Sequence, residues 1–287
     1  MYRRKRKKRN TLLVVLLILI PVILLFLLSR NHRKPEPVIF SVEDAALVGV
    51  HSTCVCEADV TSLLLKKLDW DLTGSGPRVL IIHTHGTEAY TKEPGADYTE
   101  SDPYRTMDDR YNMISIGKQV AKILTDHGIR VIHDTELYDY PSYDGAYDNA
   151  RLAIQAYLEK YPTIELVLDI HRDAVELEDG TQWAPTTEVN GKPAAKVMIT
   201  MGTGCAENNH PDWLDNMALA VKLDAQLEKL YPGLCRDITL RSSRFNQDLL
   251  PGMLLVEVGT AGNTHPEAKR AAEALAQGIV TLAGGAN

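Results

Sequence analysis

The sequence predicts an α/β fold with a mainly parallel sheet and helices on both faces, preceded by one N-terminal transmembrane helix. After residue 77, short apolar runs typical of buried strands alternate with longer segments at helical spacing. Residues 12–28 are all apolar. Residues 1–34 hold ten Lys and Arg and no acid, and removing them from the chain totals of 31 basic and 38 acidic residues leaves a formal charge of −17. The chain therefore combines a basic, apolar start with an acidic folded body.

The first 29 residues predict a cytoplasmic tail, residues 1–10, and a membrane-spanning helix, residues 11–29. As a helix, the second segment measures about 28 Å, which matches the hydrocarbon thickness of a bilayer. Seven basic residues lie at positions 3–9 and only three follow the apolar run, at positions 30, 33 and 34. This asymmetry predicts a cytoplasmic N-terminus and an extracytoplasmic body in the cell membrane. A cleaved signal peptide is the alternative, but the run is long and no small-residue cleavage site follows it.

The composition of residues 35–287 argues against a nucleic-acid-binding protein and against a disulfide-rich scaffold. An acidic body lacks the basic surface that a general nucleic-acid binder needs. Four cysteines, Cys54, Cys56, Cys205 and Cys235, are too few for a disulfide scaffold of this length. Cys54 and Cys56 form a CxC pair without a second pair, so a structural zinc site is not expected there. Small buried side chains or one incidental disulfide are the expected roles, and the disulfide state stays open.

Residues 30–76 are interpreted as a tether and lead-in, with one amphipathic helix at 60–68, and residues 77–287 as an extracytoplasmic α/β domain. Apolar runs predict strands at 78–83, 129–133, 165–170, 196–201 and 254–258. Helical spacing predicts helices at 111–127, 148–161, 213–231 and 266–282. No internal repeat is visible.

Histidines and glutamates gather where these strands end. They are His83, His85 and Glu88 after the first strand, His133 after the second, His171 after the third and Glu257 in the last. In open α/β sheets, sites form beyond the carboxyl ends of the strands. These residue types are zinc ligands and general bases, so the sequence points to a metal-assisted hydrolase.

Two HxxE motifs, His85 to Glu88 and His133 to Glu136, are candidates for part of a zinc site. A catalytic zinc takes three protein ligands and keeps one open position, and two histidines with one carboxylate are a common hydrolytic set. We predict His85, Glu88 and His171 as the ligands. His133 with Glu136 is interpreted as a surface coincidence.

Glu257 stands inside the apolar run 254–258. Burying a carboxylate without a partner is costly, so this side chain is expected to face the site. There it would serve as the catalytic group that carries a proton.

The motifs resemble those of the stage II sporulation protein P family, which are membrane-anchored cell-wall hydrolases of endospore-forming bacteria. The resemblance covers about residues 77–283, and the motifs occur in the same order along the chain as in the family. It rests on His83-Thr-His-Gly-Thr-Glu-Ala-Tyr90, Arg110-Tyr-Asn112, Asp169-Ile-His-Arg-Asp173, Phe245-Asn-Gln-Asp248 and Leu255-Val-Glu-Val-Gly259. The last strand also resembles the zinc-dependent N-acetylmuramoyl-L-alanine amidases, and the order HxxE, His, Glu is similar to that of zinc carboxypeptidases.

The resemblance implies a zinc cofactor and cleavage of the amide between the lactyl group of peptidoglycan and L-alanine, with cleavage of stem-peptide cross-links as a further activity. It implies septal wall thinning and engulfment during sporulation, with sporulation proteins D and M as partners. Two ligand alternatives stay open: His83 in place of His85, and Asp108 or Asp109 in place of Glu88.

Two basic side chains beside the expected site, Arg172 and Arg244, are predicted to bind the carboxylates of stem peptides. Local pairing of Arg172 with Asp173 or another acid is the alternative. Two other functions also fit the sequence: a membrane-tethered wall-binding scaffold without chemistry, and a zinc exopeptidase of free peptides.

Overall fold

The computed structural model describes residues 38–68 and 71–284. Seven strands form the central sheet: β1 (Val50–Ser52), β2 (Val79–Ile82), β3 (Val131–His133), β4 (Leu166–Asp173), β7 (Val197–Gly202), β8 (Ile238–Arg241) and β9 (Met253–Thr260). Strands β5 (Thr186–Val189) and β6 (Lys192–Ala195) form a separate antiparallel pair. The order in the large sheet is β1-β8-β7-β9-β4-β2-β3.

The predicted mainly parallel sheet is confirmed, with one reversal that the sequence did not reveal. In the large sheet every neighbouring pair is parallel except β7 and β9, where Val197 lies opposite Val258 and Thr200 opposite Leu255. Strands β9, β4, β2 and β3 therefore end at one edge of the sheet. Strands β7, β8 and β1 end at the opposite edge.

Helices cover both faces of the sheet, as predicted. They are α1 (Val60–Leu65), α2 (Met113–Asp126), α3 (Ala146–Lys160), α4 (Trp213–Leu230) and α5 (His265–Leu282). Short 3-10 segments cover Glu43–Leu47 and Gln247–Leu249. Because side chains alternate along a strand, Leu80 and Val167 pack against α3 on one face. Ile81 and Leu168 pack with α2, α4 and α5 on the other.

Local signals fix where the helices that flank the site begin. Asn112 caps α2 by accepting a hydrogen bond from the Ile114 amide. Thr264 and Glu267 form a capping box at the start of α5. These ends hold the loops after β2 and β9 in place.

The segment interpreted as a tether and lead-in contributes to the fold. Residues 50–52 form the edge strand beside β8, and the helix expected at 60–68 occupies Val60–Leu65. Leu64 is fully buried and Leu63 nearly so. The folded part therefore begins before residue 77.

The predicted transmembrane helix, residues 11–29, lies outside the described residues. Among the helices of residues 38–68 and 71–284, none is both long enough and apolar enough to cross a membrane.

Candidate metal and catalytic site

Three of the predicted site residues meet at the edge where β2, β4 and β9 end. Strand β4 lies between the other two, and His171 on β4 is directly opposite Glu257 on β9. His85 follows β2 by three residues, and its ring centroid is 5.3 Å from that of His171 with the ring planes almost perpendicular. The parallel pairing of three strands thus brings together residues that are up to 172 positions apart.

Glu88 joins this group through a tight turn. Its amide donates to the carbonyl oxygen of His85 at 3.2 Å, and its Oε2 lies 3.6 Å from Nδ1 of His171. The other oxygen, Oε1, is 3.4 Å from Arg105 and 3.5 Å from Arg172. Two guanidinium groups therefore balance the charge of this buried carboxylate and fix its direction.

Arg172 is itself buried and its donors are already engaged. Its Nε donates to the carbonyl of Ala89 and its Nη2 to that of Tyr104, each at 3.0 Å. It pairs with Glu88, whereas Asp173 pairs with Arg236 at 2.8 Å. A substrate contact by Arg172 stays a prediction, and it would require these bonds to be exchanged.

His171 is oriented by Asp169, a residue that the sequence analysis did not single out. Asp169 is fully buried, accepts from the amide and hydroxyl of Thr84 at 2.8 and 2.6 Å, and lies 2.9 Å from Nε2 of His171. Burial alone would lower the pKa of His171, but Asp169 and two nearby glutamates raise it to about 9. A carboxylate behind one ring nitrogen is the usual support of a metal-binding histidine. Asp169 and His171 are two apart on a strand, and this spacing was the available signal.

His85 has a different environment. Its Nδ1 is buried without a hydrogen-bond partner, and burial lowers the pKa of the ring to about 4. The ring of Tyr143 stacks on it at 4.4 Å. Asp139 lies 4.0 Å from the same Nδ1, held by Thr87 and Arg105. Asp139 belongs to the loop after β3, and no sequence spacing connects it with His85.

Glu257 is the general acid–base candidate. Burial raises its pKa to about 8, aided by Glu88 and Asp173 and opposed by the neighbouring His171. Its Oε2 is shielded from solvent and has no hydrogen-bond partner. Such a carboxyl can hold or release a proton close to neutral pH.

His83 and His133 pair with each other, away from this group. The two Nε2 atoms are 2.9 Å apart, and Nδ1 of His83 is 2.9 Å from the carbonyl oxygen of Ile170. His133 is half-buried, with its ring under α2 beside His83, and has no contact with the proposed ligands His85, Glu88 and His171 among the described residues. Glu136 is exposed, so the second HxxE does not assemble.

The two alternative carboxylates also have other surroundings. Asp108 forms a hydrogen-bonded ion pair with Arg110. Asp109 is exposed. In the described part of the chain neither forms a hydrogen bond or ion pair with these histidines, whereas Glu88 lies against His171.

The donor set fits a zinc ion by its chemistry and by its unpartnered atoms. Two imidazoles and one carboxylate are a common hydrolytic set. Nδ1 of His85 and Oε2 of Glu257 are buried without a hydrogen-bond partner, and such atoms in a native fold call for a bound partner. The ligand atoms of His85, Glu88 and His171 do not all lie within 4.8 Å of one another in the part of the chain described.

A cavity of about 370 Å³ is connected with this group through Tyr147, which lines it. Its lining includes Tyr147, Glu207, Arg244, Phe245 and Asn246. The ring of Tyr147 is 5.4 Å from that of His85 and 6.3 Å from that of His171. Arg244 is partly exposed, and its Nε lies 3.6 Å from Asp248. The substrate contact predicted for Arg244 stays a prediction, with an accessible position to support it.

Comparison with known proteins gives a family match over most of the chain. The model of the family described as stage II sporulation protein P matches residues 30–280. The stage II sporulation protein P of Bacillus subtilis (strain 168) is 28% identical over 215 residues, which are 71% of this chain and 50% of that protein. The chain thus spans about half the length of this curated relative.

Solved structures similar to this chain include three amidases. N-acetylmuramoyl-L-alanine amidase AmiC2 of Nostoc punctiforme is 16% identical, with coverage of 72% and 98% of the two chains and a TM-score of 0.40. Ami1 of Mycobacterium smegmatis is 13% identical, with coverage of 75% and 99% and a TM-score of 0.42. The CwlD amidase of Clostridioides difficile, solved in complex with the GerS lipoprotein, is 12% identical, with coverage of 71% and 98% and a TM-score of 0.43.

Proposed function

Because the chain belongs to the stage II sporulation protein P family, we propose that it is a peptidoglycan hydrolase of sporulation. The bond we assign to it is the amide between N-acetylmuramic acid and L-alanine, with stem-peptide cross-links as a second target. The observation that carries the proposal is the meeting of His85, Glu88, His171 and Glu257 at three adjacent strand ends. This set supplies metal ligands and a separate proton carrier.

Each side chain has a distinct part in the proposed hydrolysis. Zinc held by His85, Glu88 and His171 would supply a Lewis acid for the amide carbonyl and lower the pKa of a water. Glu257 takes a proton from the attacking water at Oε2 and gives it to the leaving amine. Its pKa of about 8 suits both transfers near neutral pH.

The neighbouring groups hold these residues in position. Asp169 fixes the ring of His171, while Arg105 and Arg172 fix Glu88. Tyr143 covers one face of His85, which limits access of bulk water to the group. Arg244 at the neighbouring cavity is proposed to bind a stem-peptide carboxylate.

We also propose that residues 11–29 anchor the protein in the cell membrane with the catalytic domain outside. Sporulation proteins D and M are the proposed partners, because the family resemblance implies them. Both proposals rest on the sequence alone.

The experiment that tests the hydrolase is the release of soluble fragments from purified peptidoglycan by the full chain in detergent. Glu257→Gln should keep zinc and wall binding but lose about 10² to 10⁴-fold in rate, the usual contribution of general acid–base catalysis. Glu136→Gln, the same change at the exposed glutamate of the second HxxE, is the matched control and should keep the full rate. A chelator should stop release by the wild type.

Two results would overturn the proposal. Full activity in folded, zinc-loaded Glu257→Gln would remove the assigned proton carrier. No fragment release by zinc-loaded wild type that still binds the wall would favour the scaffold.

A further inference from the structure

Three cysteines meet at the edge of the sheet opposite to the proposed catalytic site. Cys54 and Cys56 follow β1, and Cys205 follows β7. Their Sγ atoms all lie within 4.8 Å of one another, and no other group of three or more histidine, cysteine or acidic side chains in residues 38–68 and 71–284 does so. Because β7 runs antiparallel to β9, this cluster and Glu257 are at opposite strand ends.

The two loops that carry the cysteines are anchored on β8, which lies between β1 and β7. The amide of Thr53 donates to the carbonyl of Leu240 at 3.0 Å, and that of Thr203 to the carbonyl of Arg241 at 2.9 Å. Backbone bonds of the neighbouring strands thus bring the thiols together without a disulfide between them.

Two hydroxyl groups further fix the cysteine loops. The Ser52 hydroxyl lies 2.8 Å from the carbonyl oxygen of Cys54 and 2.9 Å from that of Cys56, which holds the CxC segment as a tight turn. The Thr203 hydroxyl lies 3.4 Å from the Cys205 amide and 3.8 Å from Sγ of Cys54. The position of the three sulfurs is therefore preorganised.

We propose that Cys54, Cys56 and Cys205 form a second metal site, a structural site that takes Zn²⁺ through three thiolates. A Zn–S distance of about 2.3 Å in tetrahedral geometry places the sulfurs about 3.8 Å apart, so the cluster needs a contraction of at most about 1 Å. A disulfide would use two of the sulfurs and leave the third half-buried and unpaired. The fourth coordination position is left to water or another external ligand.

A metal at this site would cross-link the edge strand β1 to the inner strand β7 and so stabilise the edge of the sheet. Strand β1 has three residues and pairs only with β8 among the described strands, so it has few bonds of its own. A metal on Cys54, Cys56 and Cys205 ties it to β7 across β8. The loop of Cys205 continues into Ala206, Glu207 and Asn209, which line the 370 Å³ cavity. The bound metal would therefore also hold this side of the cavity in position.

The test uses Co²⁺ as a spectroscopic probe of the reduced full chain. Thiolate ligation gives a sulfur-to-cobalt charge-transfer absorption that His and Glu ligands at the other site do not give. Wild type should develop this absorption to one equivalent, and Cys205→Ser and Cys56→Ser should lose it. Cys235→Ala, which removes the cysteine outside the cluster, is the matched control and should keep it.

A second measurement needs no variant, so it holds even where a substitution prevents folding. Zn²⁺ should slow alkylation of Cys54, Cys56 and Cys205 in the wild type by about tenfold or more, because a metal-bound thiolate is a poor nucleophile. Peptide mass spectrometry reads each cysteine separately, and a chelator should restore the rate. No charge-transfer absorption in the reduced wild type, or no protection by zinc, would overturn the site. So would absorption that persists in folded Cys205→Ser, or a native disulfide between two of the three that persists under zinc.

Discussion

The two histidines proposed as ligands have opposite electrostatic surroundings. Burial keeps the ring of His85 neutral, with a pKa of about 4. Asp169 and the glutamates hold a proton on His171 and raise its pKa to about 9. The proposed metal binding would therefore displace a proton from His171 near neutral pH, since an imidazole must be neutral to coordinate.

Replacement of either histidine should remove the metal while the fold remains. His85→Ala and His171→Ala should lose stoichiometric zinc at this site, because each removes one of the three proposed ligands. The fold should remain, because each residue lies at a strand end and not in the hydrophobic core. His133→Ala is the matched control and should keep the metal, since its ring contacts His83 instead.

Metal content by mass spectrometry and far-ultraviolet circular dichroism check this prediction. The variants are compared in a Cys205→Ser background, which removes the proposed thiolate site from the count. Stoichiometric zinc in His85→Ala would show that the ligand set is wrong. His83 would then have to exchange its bonds to Ile170 and His133 to take its place.

At the scale of elements, α1 connects the lead-in to the rest of the fold. Its Leu64 is fully buried, whereas the adjacent Leu65 is 49% exposed. Leu64→Ala should lower the free energy of unfolding by about 2–5 kcal/mol, the usual cost of truncating a core leucine. Leu65→Ala should change it by less than about 1 kcal/mol. Equal effects in urea unfolding would show that α1 does not pack in the core.

Helix α5 carries a pH-sensitive contact at its first residue. Nε2 of His265 lies 2.6 Å from the Ser115 hydroxyl of α2, and burial, aided by Lys269, lowers the pKa of His265 to about 4. Between the ordinary pKa of 6.5 and about 4, the unfolded chain binds a proton that the folded chain does not. The stability that the neutral, buried His265 gives the folded state is therefore fully present above pH 6.5 and is lost as the pH falls toward 4.

His265→Gln should make the free energy of unfolding fall less steeply between pH 6.5 and 4. The change in slope should correspond to at most one proton fewer taken up on unfolding. Urea unfolding at several pH values measures it, and the same change at the exposed His51 serves as the control. An unchanged slope in His265→Gln would mean that the folded and unfolded states bind this proton equally.

The elements show which parts of the fold a sequence can predict. Apolar runs and helical spacing predicted β2, β4, β9 and the larger helices, because the buried side chains of these elements recur at the period of a strand or a helix. Strands β1 (Val-His-Ser) and β8 (Ile-Thr-Leu-Arg) include polar residues, so neither forms the apolar run that identifies a buried strand. The reversal of β7 depends on the path of the chain through the β5–β6 pair, which no local pattern encodes.

The same limit applies to the site. His85, Glu88, His171 and Glu257 follow or occupy recognisable strands, so the sequence could bring them together. Asp139 in a loop and Cys205, 149 positions from Cys56, reach their neighbours only through tertiary structure. Asp169 lay within reach of sequence analysis, because it shares a strand face with His171.

At the scale of the whole molecule, charge and hydropathy define the proposed topology. The basic tail and the apolar residues 11–29 favour an N-terminus in the cytoplasm. A reporter fused after Asn287 should then be active only outside the cytoplasm, and the full-length protein should remain in the membrane fraction. Mature protein that lacks residues 1–30 would identify a cleaved signal peptide instead.

The measurement that tests the central claim most directly is mass spectrometry of the products that the full chain releases from purified peptidoglycan. The account predicts peptides with a new free amino group on L-alanine and glycan with a free lactyl carboxylate, formed with zinc and abolished by a chelator. Products cut only within the glycan strand, or the same products at an undiminished rate without metal, would contradict it.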